Sequence, residues 1–274
     1  MNAEIRARTL RTAYLRMLVA LLPLILVFWL VWHGHTAAAV TIFVSVLATM
    51  MTGTLVPRCT LFGPMIKELP PGSNHALLTI DDGPHPQHTP AILDILDRHG
   101  LKAVFFLVGE RAARHPDLVR EIIARGHEIG NHTQTHPAAF FWALRPARLW
   151  REIATCQETL TALGPEQPPR FFRPPAGHHN VFLPVITRAL GLRIMMWGAR
   201  GFDGVSTDVG PITRRIRNRL KPGTIVLIHE ATPVAIEVAE SVAAMIASAG
   251  FASTEPSTRT FGGDEVVVEG RSAP

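Results

Sequence analysis

Two long, almost wholly apolar runs at one end of this chain decide most of what it can become. Residues 15–32 are almost wholly apolar, and after the short HGHT of residues 33–36 a second run covers residues 37–56. Each has the roughly 20 residues that a helix needs to cross a bilayer core. A cleaved leader has one shorter apolar core and a small-residue cleavage site, so cleavage leaves the second run without a purpose. The expectation is a two-helix transmembrane hairpin over residues 15–56, with Pro23 a tolerable kink. The alternative is a signal anchor whose second helix lies in the membrane plane. Arg6, Arg8, Arg11 and Arg16 lie before or at the start of the first run, Arg58 and Lys67 follow the second, and the stretch between has no Lys or Arg. By the positive-inside rule both flanks, and the domain that follows, lie on the cytoplasmic side of the cell (inner) membrane. If the second run does not span, that domain faces the periplasm or the exterior.

The apolar fraction of 47% in 274 residues is concentrated in this end, which leaves enough chain for one sizeable domain with a large core. A formal net charge of +5 does not by itself point to nucleic acid: the arginines are scattered and no basic run is interleaved with aromatics. Cys59 and Cys156 are far apart, with no metal-type spacing and no disulfide framework, and read as unpaired thiols of a reducing compartment. Nothing here fixes an oligomeric state.

The punctuation ELPPGSN at residues 68–74 reads as a linker. Beyond it, strand-like runs at residues 76–80, 103–108, 127–131, 170–173, 193–197 and 224–229, with a weak one at 251–254, alternate with helix-period segments. Those segments are 90–98, 116–125, 147–163, 181–190, 209–220 and 234–249. Strand alternating with helix means parallel pairing, and seven or eight such units favour a closed or nearly closed α/β barrel. The organisation expected is a basic segment 1–14, the hairpin 15–56, a linker 57–73, a barrel 74–256 and a tail 257–274.

Chemistry in such barrels gathers at the C-terminal strand ends. The polar groups there are Asp81 and Asp82, His132 and His136, Arg173, Asp203 and His229. Two adjacent aspartates at the end of a buried strand repel each other and lose solvation, so they need a cation or strong hydrogen bonds. Histidines four apart on one helical turn share a face and can bind one metal; an aspartate completes a His-His-Asp set that leaves positions open for water and substrate. An HxxxH alone is weak; joined to an Asp-Asp at another strand end it is much stronger.

TIDDGP (79–84), HTQTH (132–136), RPPAG (173–177) and LIH (227–229) resemble, in order and spacing, the motifs of the polysaccharide deacetylases of carbohydrate esterase family four, the nodulation-protein-like deacetylases. The resemblance covers roughly residues 74–254. It implies a distorted (β/α) barrel that removes acyl groups from N-acylated, sometimes O-acylated, sugars or glycans with one divalent metal, usually zinc. Carried over, Asp82, His132 and His136 are the metal ligands and Asp81 the general base. Arg173 orients Asp81, the backbone N–H near Ala176 helps form an oxyanion hole, and His229 is the general acid.

Two departures stand out. Ala176 replaces a frequent Tyr, which removes a side chain from the substrate wall and leaves the backbone donor. In WGARGFDG (197–204) the family's first acidic position is Arg200 and only Asp203 remains. Either Asp203 supports His229 or that support is lost, and in the second case the barrel is weakened or inert, a glycan-binding or membrane scaffold. His178 and His179 read as an exposed loop pair, His85 and His88 as polar caps of a helix start, and RRIRNR (214–219) as a solvated helix face.

Overall fold

The structure, a computed structural model, describes residues 3–72, 74–164 and 167–253. Helix α1 (Ala3–Trp32) and helix α2 (Thr36–Leu55) form an antiparallel hairpin around the turn at residues 33–35. Both are long and apolar enough to cross a membrane, and nearly all their large apolar side chains point outward, Phe28 and Trp32 among the most exposed. Helix α1 starts well before the apolar run, so the expected basic segment is not a separate tail. Its small Thr9 and Ala13, one turn apart, let the helix approach the following domain closely, and both are buried there. Ala13, with Leu10 and Met17 packed beside it, joins a core cluster that includes Trp150, Ile153 and Ile186.

Among the described residues eight strands follow: β1 (His75–Gly83), β2 (Ala103–Leu107), β3 (Glu128–Asn131), β4 (Phe171–Phe172), β5 (Arg193–Ile194), β6 (Ala199–Arg200), β7 (Ile225–His229) and β8 (Ala252–Ser253). They pair in parallel in the order β5-β4-β3-β2-β1-β7-β6, with β8 beside the start of β1. Alternation sorts the side chains. Leu77, Val104, Phe106, Phe171, Met195 and Ile225 meet inside the curled sheet. Leu78, Ile80, Phe105 and Ile228 face outward, under helices α3 (His88–Arg98), α8 (Val209–Arg217) and α9 (Ala235–Ser248).

The barrel stays open between β5 and β6. The strand expected over 193–197 stops at Ile194 because Arg173 takes the carbonyls of Met195 and Met196, at 3.0 and 3.2 Å. The stretch read as a linker fills part of this gap. Ile66 donates to the Ile194 carbonyl and accepts from Met196 N–H, both at 2.8 Å, and the buried Leu69 donates to Gly223. The tail 257–274 and the end of the weak strand, Thr254, lie outside the described residues.

Candidate active site

Strand alternation sends Leu77, Thr79 and Asp81 into the barrel, so in a regular strand Asp82 would point out among the helices. A register shift between Asp81 and Gly83 prevents this: Asp82 takes the left-handed conformation, φ 72°, and turns its carboxylate back to the strand end. Arg111 holds the turned backbone through the Asp82 carbonyl. Gly83 is required next, because a Cβ there would overlap the buried Glu230 carboxylate.

Asp81 pairs in register with Phe106 on one side and His229 on the other. Its Oδ1 accepts from Arg173 Nη1 at 2.7 Å, and the same nitrogen reaches Thr79 Oγ1 at 2.8 Å. Arg173 is fully buried, its guanidinium 4.1 Å from the Phe106 ring centroid. A buried cation needs such complete pairing. Asp81 Oδ2 is left facing the site, 3.8 Å from His132 Nε2.

His132 and His136 do not sit on a helical turn, contrary to the sequence expectation. They flank a loop in which Thr133 and His136 are left-handed, φ 71° and 55°. Glu152 and Asn131 shape that loop. Glu152, on helix α6 (Pro146–Ala162), accepts Thr135 N–H and Oγ1–H at 3.0 Å each, and Asn131 Oδ1 accepts Thr133 N–H. His132 Nδ1 donates to the Arg173 carbonyl at 2.8 Å, which leaves the Nε2 lone pair free on the site side. His132 Nε2 and His136 Nε2 lie 3.4 and 3.0 Å from Asp82 Oδ1, and the three ligand atoms lie within 4.8 Å of one another. Burial disfavours the Asp82 carboxylate, but the two imidazoles outweigh it and hold the carboxyl well below its usual range. Asp82 Oδ1 nevertheless lacks a hydrogen bond of acceptable geometry. Three converging donor atoms with an orphaned buried oxygen fit a divalent cation of the His/carboxylate kind.

Across the mouth, His229 Nδ1 donates to Asp203 Oδ1 at 3.1 Å, and His229 N–H donates to Oδ2 at 2.6 Å. Burial works against the imidazolium, yet Asp203 prevails and raises the His229 pKa to about 9. The loop of residues 174–179 closes the site. Ala176 is exposed and left-handed, φ 54°, and its N–H has no partner among the described residues. The pair at 178–179 is not exposed as expected. His179 is buried, its N–H on Thr54 O at 3.0 Å and its Nε2 on Pro57 O at 3.1 Å, which fastens this loop to the end of α2. His85 caps α3, its Nδ1 accepting the N–H groups of Gln87 and His88.

The family described as Polysaccharide deacetylase matches residues 68–195. A chitooligosaccharide deacetylase of Bradyrhizobium is 34% identical over 162 residues, 59% of this chain and 73% of that protein. The chain belongs to the polysaccharide deacetylases of carbohydrate esterase family four. Among solved structures, a peptidoglycan N-acetylglucosamine deacetylase superposes with a TM-score of 0.64 at 28% identity, over 69% of this chain and 89% of its own. A family-four pseudoenzyme from Bacillus anthracis gives 0.63 at 25%, over 69% and 66%.

This family-four deacetylase also carries groups that sequence reasoning missed. Glu152 had one faint signal, an acid on the apolar stripe of a helix. Glu230 had none: it follows His229 directly, is fully buried, accepts from Thr89 Oγ1 at 2.7 Å, and burial raises its pKa to about 8.

Proposed function

We propose that the protein is a membrane-anchored, metal-dependent N-deacylase of an amino sugar, with its barrel on the cytoplasmic side and its substrate presented at the bilayer surface. The observation that carries the reaction is the convergence of Asp82, His132 and His136 beside a buried Asp81–Arg173 pair and a His229–Asp203 pair. Asp82, His132 and His136 would hold one divalent ion, zinc first among them. Such an ion polarises an acyl carbonyl and lowers the pKa of water.

The chain's own groups supply the rest. Asp81 Oδ2 takes the proton of the attacking water, with Arg173 fixing the other oxygen. The Ala176 N–H donates to the carbonyl oxygen as it gains charge. His229, protonated up to about pH 9, gives its Nε2 proton to the departing amine as the C–N bond breaks. The products are a carboxylic acid and the free amino sugar. Acetyl is the first candidate acyl group, given what the relatives deacetylate.

Two features support a substrate at the bilayer. The loop bearing Ala176 is bonded to residues 54 and 57 at the end of α2, so the mouth of the barrel adjoins the hairpin. Phe140 and Trp142, exposed on the turn just after His136, give that side an apolar rim. The arginines at the start of α1 favour the cytoplasmic face, and α1 is packed on the barrel that shares their side.

A second reading, an inert barrel serving as a scaffold, is favoured by Arg200 in an acidic position and by the pseudoenzyme neighbour. One experiment separates them. Full-length protein in lipid nanodiscs is dialysed against a chelator, reloaded with zinc and assayed for acetate release from chitotetraose and from an N-acetylglucosamine-bearing polyprenyl lipid. The proposal expects release that needs the ion and favours the lipid; no release from either substrate at any metal loading supports the scaffold. A C-terminal reporter active on the outer face would overturn the cytoplasmic assignment.

A further inference from the structure

Among the described residues, Arg200 is a cation without an anion bonded to it, in a place where charge is expensive. It stands on β6 in register with Leu227, two residues before His229 on the adjacent strand. Its guanidinium is held between two rings, 5.2 Å from the Trp197 centroid and 4.1 Å from that of Phe202. Among the described residues this guanidinium makes no hydrogen bond and no ion pair. Asp203 attracts it, but both oxygens of that carboxylate are engaged by His229. Arg219 adds more positive charge, and Arg215 also lies over the Phe202 ring, 5.9 Å from its centroid, while donating to Gly201 O. Burial pushes the Arg200 pKa down, the sign of a charge that has lost water without gaining an anion.

A Met or Leu would fill a slot between two rings without that cost. A planar fork of N–H donors held over two rings and not taken up by an anion instead suits a bidentate oxyanion. Neighbouring strands lie about 4.8 Å apart, and a residue advances about 3.3 Å along a strand. The Arg200 backbone is therefore within a sugar's width of the His229 backbone.

We infer that Arg200 is a specificity-determining residue that binds an anionic group, a phosphate ester or a carboxylate, carried by the amino sugar close to its acylamino group. Where the family pattern has its first acidic position, this chain reads the substrate's charge, and Asp203 alone supports His229. The inference rests on the deacylase reading of the site, and a phosphate ester is the arm that joins it to a lipid-carried sugar.

The test uses zinc-loaded full-length protein in nanodiscs and two measurements. The first is turnover of three probes: N-acetylglucosamine 1-phosphate, N-acetylmuramic acid, and the neutral methyl glycoside of N-acetylglucosamine. The second is calorimetric binding of inorganic phosphate and of acetate, which needs no turnover. Wild type is expected to favour one anionic probe over the neutral one by at least about tenfold in kcat/KM. Preference for the phosphate identifies an ester, preference for the muramic acid a carboxylate. Arg200→Gln should raise KM for that probe by about ten- to a hundredfold, leave kcat on the neutral glycoside within about threefold, and weaken binding of the matching free anion equally; Arg200→Lys should recover part of it. Equal losses on neutral and anionic probes, or anion binding unchanged in Arg200→Gln, would overturn the inference. Anion binding that depends on Arg200 without turnover of any probe would instead overturn the deacylase reading and leave the anion site standing.

Discussion

The wall of the site formed by β1 and the loop after β3 and the wall formed by β6 and β7 reach the same kind of chemistry by different routes. On the first, Asp81, Asp82, His132 and His136 come together at the strand ends, and buried groups around them fix their directions. Arg173 holds Asp81, and Glu152 holds the loop of His132 and His136. On the second, the family pattern is broken at Arg200, yet His229 still has a carboxylate on Nδ1, because Asp203 gives one oxygen to the ring and one to the backbone. On the proposed reading, the first wall seats a cation and tolerates little change, since each ligand is needed, whereas the second protonates a leaving group and needs one carboxylate behind its histidine.

If that contrast is right, substitutions on the two walls fail in different ways. The largest effect belongs to the ligands. His132→Ala should take the ion from about one per chain to near none and acetate release to background, as read by elemental analysis and turnover. Retained metal would break the comparison on its first wall. His229→Ala should keep the ion but cost about a hundred- to ten-thousandfold in turnover on an amide, and much less on an activated aryl ester, whose leaving group needs no proton. Equal losses on both substrates would deny His229 its role as acid.

Asp203→Asn should leave the metal content alone and act through pH. Removing the carboxylate that raises His229 to about 9 leaves burial to lower it, so the alkaline limb of the rate profile moves to lower pH. At pH 8, turnover should fall by roughly tenfold for each unit moved below that pH. An unmoved limb would mean that His229 is supported in some other way. The smallest effect is expected from Glu152→Gln, which loosens the loop without removing a ligand. Metal affinity, measured by competition with a chelator, should fall about tenfold, while turnover at saturating metal stays within about threefold.

What the sequence made legible follows the same division. Alternating apolar runs gave the parallel barrel, and the spacing of TIDDGP and HTQTH pointed to the first wall, because those signals are local. The details that aim the side chains are not local. The backward turn of Asp82 depends on a register shift against β2 and on Arg111. The two histidines meet through a loop wrapped on Glu152, sixteen residues beyond His136, where an i, i+4 rule predicts a helix. Strand β5 ends early because Arg173, buried just after β4, claims the carbonyls of the two residues that follow β5. His179 reads as exposed until α2 is packed on it. The exposed apolar face of the hairpin, by contrast, was plain from composition alone.

The central claim is that Asp81 and Asp82, neighbours with the same side chain, do different work because a bulge turns one of them around. Metal content and turnover measured side by side for Asp81→Asn and Asp82→Asn test it most directly. The account predicts that Asp81→Asn binds the ion like wild type and loses about a hundredfold or more in turnover, whereas Asp82→Asn loses the ion and the activity together. An Asp82→Asn protein that keeps its metal, or an Asp81→Asn protein that keeps its turnover, would contradict it.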